Sequence, residues 1–356
     1  MNGVAGFPNT TTGILRSAQD DGGELLVAQA NLDPTHDDKA VVNGAPGAAR
    51  SAQDDGGVAL VAQANPDPTH DDKAVVNGAP KGSGIVKATP AIWRVKGAHG
   101  TVYLFGSIHV MKPNVDWQTA QVKAAMAAAG TLYVEVANLD DPMAALPIAA
   151  QLGMDAEHPL STKVEKSDLP LLDTAAKEMG LPGEAMLEPM QPWLVSTSLS
   201  VLPMIKAGYD PKSGIDMVML AQAKRENKSV VGFETMEEQM HLLADAPEAE
   251  QVELLHQELT EMDKDTAEMN ELVSAWEKGD VDKIAALENG ELKAKHPAEY
   301  KRLAVDRNVK WAETLDGLLK DPTAGDVLVV VGAAHLAGPD SLMEQLKKRG
   351  WKVERE

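Results

Sequence analysis

The sequence predicts an α/β fold, a central mixed sheet with covering helices and a helical insertion before the last β-α-β unit. Three observations carry this. Short β-branched runs recur along the chain, long helical-period stretches lie between residues 247 and 319, and Asp326–Val331 (DVLVVV) reads as a buried central strand.

The elements follow in order. Trp93–Lys96 and Thr101–Phe105 flank Gly97-Ala98-His99-Gly100, the signature of a hairpin about a Gly-rich turn. Asp116–Ala129 reads as a helix and Thr131–Val136 (TLYVEV) as a strand. Ser229–Phe233 is another strand. Thr235, with Glu238 three residues later, gives a capping-box start to a helix through Leu243. Between Pro247 and Gly279, apolar Val252, Leu255, Leu259, Met262, Met269, Leu272, Val273 and Trp276 recur at helical spacing. A second long helix fits His296–Leu319. A helix over Asp340–Arg349 and a strand over Trp351–Glu354 close the chain.

Residues 1–80 are expected to be a disordered extension, 81–90 a linker and 91–356 the folded domain. Arg16–Pro46 recurs at Arg50–Pro80, and only three of the 31 positions differ. Two copies are too few for a solenoid core. Of the aromatic residues, only Phe7 precedes residue 81, so the segment lacks the large apolar groups that offset ordering entropy. Ala62-Gln63-Ala64 resembles a signal-peptidase site, but the apolar stretch before it, Val58–Ala62, falls short of the roughly 7 to 15 residues of a working leader.

Composition narrows the function. The chain has 356 residues, a formal net charge of −21 and no cysteine. The acidic balance argues against nucleic-acid binding, which depends on Lys and Arg neutralising phosphates. No apolar run approaches the roughly 18 to 20 residues that span a bilayer. Thiolate chemistry and disulfides are excluded. The sequence also lacks H-E-x-x-H, G-x-S-x-G and P-loop patterns.

The chemistry concentrates where strands end in Gly-x-x-His, at Gly106-Ser107-Ile108-His109 and Gly332-Ala333-Ala334-His335. The bare spacing is common by chance; its context is not, because each copy directly follows an apolar strand. Gly is expected to allow the sharp turn out of the sheet, delivering the His to the crevice at the strand's C-terminal end. Glu135, inside TLYVEV, is costly to bury unless it is paired or bound to a metal. Two His and one Glu make an N/N/O set for a divalent ion. The alternatives are satisfied loop histidines and, for Glu135, a salt bridge to a nearby Arg. Asp216 reads as a helix-start residue rather than a catalyst.

In this order, GSIHV, YVEV, GIDMVMLAQA, GFETMEEQM, DRNVKWAETL and VVVGAAHLAG resemble the TraB/GumN (Tiki-like) family over about 91–356. The resemblance implies a metal-dependent hydrolase, most readily a peptidase acting on a peptide or protein substrate, with Mn, Co or Zn as cofactor. It places His109, Glu135 and His335 as metal ligands and Arg307, Asn308 and Glu234 in the catalytic machinery. Glu234 would be the general base and Arg307 the oxyanion partner. It also implies export, although no leader is recognisable. The alternative is a non-catalytic module that sequesters a peptide or signal in the same crevice.

Deleting residues 1–80 should leave the fold intact. The thermal midpoint should move by less than about 2 °C, below what ~1 kcal/mol produces in a domain of this size; a drop of ten degrees in calorimetry would refute the expectation.

Overall fold

A computed structural model describes residues 84–356. The duplicated segment and the expected disordered extension lie outside the described residues. Among the described residues eight strands form, β1 (Val86–Lys87), β2 (Ile92–Lys96), β3 (Thr101–Ser107), β4 (Val115–Asp116), β5 (Thr131–Val136), β6 (Ser229–Glu234), β7 (Val327–Gly332) and β8 (Val353–Arg355). Six of them build the expected mixed sheet, in the order β6-β5-β7-β3-β2-β8. Strands β3, β7, β5 and β6 run parallel, β2 is antiparallel to β3, and β8 to β2.

All five residues of Val327–Val331 are buried, as expected for a central parallel strand covered on both faces. On one face Phe105, Trp117 and Trp276 pack as an aromatic cluster, with ring centroids 5.8 to 6.4 Å apart. On the other, the helix Asp306–Lys320 buries Trp311, Leu315 and Leu319 against Leu104, Val329 and Val331.

Several expected boundaries shift. Val115–Asp116 pairs as β4 with β1, inside the stretch read as linker, so the first helix starts at Ala120, where the Thr119 side chain caps it. The stretch read as one helix from His296 is three pieces, Pro297–Tyr300, a π-type turn over Lys301–Val305, and Asp306–Lys320. The capping box at Thr235 and Glu238 forms as read, with both reciprocal bonds present.

Helices fill the connection from β5 to β6, a block the sequence pattern left unassigned. Within it Pro192–Ser200 packs along the long helix Glu248–Glu277, closing a separate core of Leu160, Leu172, Trp193, Leu199 and Leu255. The helical layer and the C-terminal ends of β3, β5 and β7 enclose a crevice of about 540 Å³. This is the sheet edge where open α/β proteins bind ligands. Among the described residues, no helix is long and apolar enough to cross a membrane.

Trp276 anchors β3 one residue before it reaches the crevice at Ser107, since its Nε1 donates to the Gly106 carbonyl at 2.8 Å. Trp276→Phe keeps the ring and strands that buried acceptor. It should cost about 1 to 3 kcal/mol in urea denaturation, and an unchanged midpoint would show that water replaces the bond.

Candidate functional site

The site is organised around one cation. Arg307, in the first turn of Asp306–Lys320, is buried and donates through all three of its nitrogens. Its Nε is 3.0 Å from both oxygens of Glu234, and its Nη2 donates to Glu135 Oε2 at 2.7 Å and lies 3.0 Å from Glu234 Oε2. Its Nη1 donates to the Leu303 carbonyl and to His335 Nε2, both at 3.0 Å. The guanidinium also lies over the Trp311 ring, 4.6 Å from its centroid. Glu135 is therefore salt-bridged to an Arg, the alternative left open on sequence.

The carboxylates are fully bonded. Glu135 Oε1 accepts the Gly332 N–H at 2.7 Å, and Oε2 accepts Gln239 Nε2 at 3.0 Å as well as the Arg. Burial pushes the Glu135 carboxyl up, but Arg307, His109 and the Gly332 amide outweigh it and hold the group well below the usual carboxylate range. Glu234 Oε1 also accepts Trp311 Nε1 at 3.1 Å. One guanidinium thus serves two buried carboxylates, which leaves an excess negative charge.

The two histidines differ. His335 is buried in the short turn Ala333–Leu336, its ring 4.6 Å from that of Trp311. Asn308 Nδ2 donates to the Asp340 carbonyl at 3.0 Å, which turns Asn308 Oδ1 toward His335 Nδ1, 2.8 Å away. The proton therefore sits on Nδ1 and the lone pair on Nε2. Burial lowers this imidazole to about 3, with Arg307 and His109 adding to the effect against Glu135, so it is neutral.

His109 lies past the end of β3. Its Nδ1 meets Asp216 Oδ2 at 2.8 Å, and Asp216 is buried in the first turn of the helix Ile215–Arg225. Asp216 above all, opposed by burial and aided by Glu135 and Glu288, raises His109 to about 9. The ring lines the crevice, and 62% of its side-chain surface stays open. Asp216 does start a helix, as its sequence context suggests, but it also holds His109. A first-turn acid is too common for sequence to separate the two uses.

The glycines of the motifs serve close approach more than a special turn. Gly332 has an ordinary φ of −47°. A Cβ there would lie 3.2 Å from Glu135 Oε1, 3.6 Å from His335 Cδ2 and 3.9 Å from His109 Nε2, so the three sequence-predicted ligands surround one point. A Cβ on Gly106 would come within 3.0 Å of Ala333 Cα. Among the described residues, no three His, Asp or Glu side chains converge as a ready metal-ligand group.

The TraB/PrgY/gumN family description matches residues 91–355. The chain belongs to this family. It is 26% identical to the uncharacterized protein YbaP of Escherichia coli K12 over 251 residues, 69% of this chain and 87% of YbaP. The YbaP of Shigella flexneri matches to the same extent. An uncharacterized protein of Treponema pallidum is 21% identical over 278 residues, 72% of this chain and 80% of that protein. No solved structure matches the chain.

Removing the cation should cost more than removing one of its anions. Arg307→Met leaves Glu135 and Glu234 buried without a counter-charge and should cost about 3 to 5 kcal/mol in chemical denaturation. Glu135→Gln leaves Arg307 paired with Glu234 and should cost clearly less. The reverse order would refute the charge assignment.

Proposed function

We propose that the crevice is the active site of a metal-dependent hydrolase acting on peptide bonds. The observation that carries this reading is the anchoring of both histidines through Nδ1, His109 by a carboxylate and His335 by an amide oxygen. Each Nε2 is left on the side of Glu135, with His335 Nε2 3.8 Å from Glu135 Oε1. Metal-binding histidines are oriented in this way by outer-shell acceptors.

The donor set fits a divalent ion such as Mn, Co or Zn, with His109, Glu135 and His335 as its holders. The N/N/O chemistry is suitable, and the excess negative charge around Arg307 favours a cation. When bound, such an ion would lower the pKa of a bound water toward ~7 and polarise a substrate carbonyl.

The chain's own residues have positioning parts. Asp216 orients His109 and stabilises positive charge on it. Asn308 fixes the His335 tautomer. Arg307 holds Glu135 and Glu234 near the ends of adjacent strands, and with all three of its nitrogens engaged it acts through these partners rather than as an oxyanion contact. Glu234, bound by Arg307 and Trp311, has the same kind of part rather than that of a base. A proton or a divalent ion, but not both, occupies His109 Nε2.

The second reading, a module that sequesters a peptide without cutting it, is favoured by the bond from Arg307 Nη1 to the His335 Nε2 lone pair. That lone pair is the one a metal would need.

Metal-stripped full-length protein titrated calorimetrically with Mn, Co and Zn should show one site, lost in a folded His109→Ala, His335→Ala double variant. Cleavage of a fluorogenic peptide library should appear on reloading and vanish with the site. Metal binding undiminished in the double variant would sink the ligand assignment. Peptide binding without cleavage at any metal loading would favour sequestration.

A further inference from the structure

The crevice lining carries five acidic side chains, Glu135, Asp140, Asp141, Asp216 and Glu288. Four have work within the fold. Glu135 holds Arg307, Asp216 holds His109, and Asp140 pairs with Lys224 at 2.7 Å. Asp141 caps the helix Pro142–Gly153 through the amides of Met143 and Ala144. Glu288 makes no hydrogen bond or salt bridge with any described residue. It lies on a π-type turn, Ala285–Gly290, an irregularity that recurs at functional sites. Its neighbour Asn289 is buried and ties this turn to the carbonyls of Ala334 and Ala337, so Glu288 is presented from a fixed backbone. Glu288 is also close enough to His109 to act on it electrostatically.

A second crevice group lacks a partner. The Ser107 hydroxyl is buried, with the residue 2% exposed, and its Oγ makes no hydrogen bond. Ser107 stands opposite Gly332 in the β3–β7 register, beside the point that His109, Glu135 and His335 surround. A buried hydroxyl without a partner is costly unless a ligand supplies one. The helical wall of the crevice is rich in methionine, with Met204, Met217, Met236, Met240 and Met269 contributed by four helices. Such a wall adapts to varied apolar side chains.

We propose that the crevice selects peptides that carry a cationic group next to a large apolar side chain, with the cation held by Glu288 and the apolar side chain on the methionine wall. Ser107 then bonds the intervening peptide backbone. An ammonium at the peptide's N-terminus and a Lys side chain offer the same chemistry to Glu288. This inference names the substrate class of the site proposed above and rests on peptides being its ligands, not on their cleavage.

The test is calorimetric binding to the full-length, metal-free chain, so that it is read apart from hydrolysis. The probes are Leu-Phe-Gly amide, its N-acetyl form, and N-acetyl-Lys-Leu-Phe amide, with decanoate as an acyl-chain control. At least one cationic probe should bind on the order of tenfold tighter than the neutral acetylated one. The free-amine probe winning assigns the N-terminus as the cation, and the Lys probe winning assigns the side chain. Glu288→Gln should abolish the preference without moving the thermal midpoint, because the Glu288 side chain bonds none of the described residues, and Glu288→Ala should behave alike. If neither variant folds, the wild-type comparison of cationic and acetylated probes decides alone. Equal binding of all peptides, no peptide binding, tighter binding of decanoate, or a preference that survives Glu288→Gln would each overturn the proposal. Preference here, with no cleavage of the same peptides by the metal-reloaded protein, keeps it and counts against the peptidase reading. Cleavage without preference does the reverse.

Discussion

Two carboxylates at the ends of neighbouring parallel strands cannot both stay ionised in a buried place without a cation between them. Arg307 is that cation, and the architecture of the site follows from it. Glu135 is the penultimate residue of β5 and Glu234 the last of β6, so the guanidinium ties two strands to the helix Asp306–Lys320. A lysine could supply the charge but not the planar fork that reaches both carboxylates, a carbonyl and an imidazole at once. Desolvating three charged groups is costly, and such a network gives weaker stabilisation than its bond count suggests. What it does give is a defined geometry at the sheet's C-terminal edge.

That geometry passes to His335 through consecutive residues. Arg307 and Asn308 project from the helix about 100° apart and do not share a face. They reach opposite nitrogens of one imidazole, Arg307 at Nε2 and Asn308 at Nδ1. The ring is gripped across its width, and its tautomer is set by the Asp340 carbonyl beyond the Asn308 amide. The Arg-Asn pair in DRNVKWAETL is thus one clamp rather than two separate contacts.

Local pattern carried the strands, the long helices, the capping box and the paired Gly-x-x-His motifs, because each depends on residues within a few positions of one another. It also singled out Glu135, since a carboxylate inside TLYVEV has to be explained. What it could not carry was the identity of partners. Glu135 meets an arginine 172 positions away and His109 an aspartate 107 away, and no periodicity encodes either pairing. Glu288 drew no notice because an acid on a helical stretch is ordinarily a solvated one. Only the π-type turn and the fold of the helical layer bring it to the crevice. The helices between β5 and β6 were missed for a related reason. They are short, most of them restarted at a proline (142, 159, 170, 192 and 203 stand at helix starts), so none sustains a long apolar stripe.

The two Gly-x-x-His motifs look like one device used twice, and the fold makes them opposites. His335 is packed under Trp311 with a guanidinium at its lone pair, and burial keeps it without a proton. His109 hangs past the end of β3 against Asp216, and keeps its proton at neutral pH. The difference arises in the path of the chain beyond each motif. After Gly332 the chain turns at once into Ala333–Leu336, beneath the helix that carries Arg307. After His109 it runs to Met111, whose N–H and carbonyl exchange bonds with Asp210. The Ile215 amide on the Ile108 carbonyl completes that strap. Two imidazoles near one point thus have their protonation preferences pushed apart. Their separation depends on Asp216 at one ring and on burial at the other, so the polarity of the site is set by residues that need never touch a substrate.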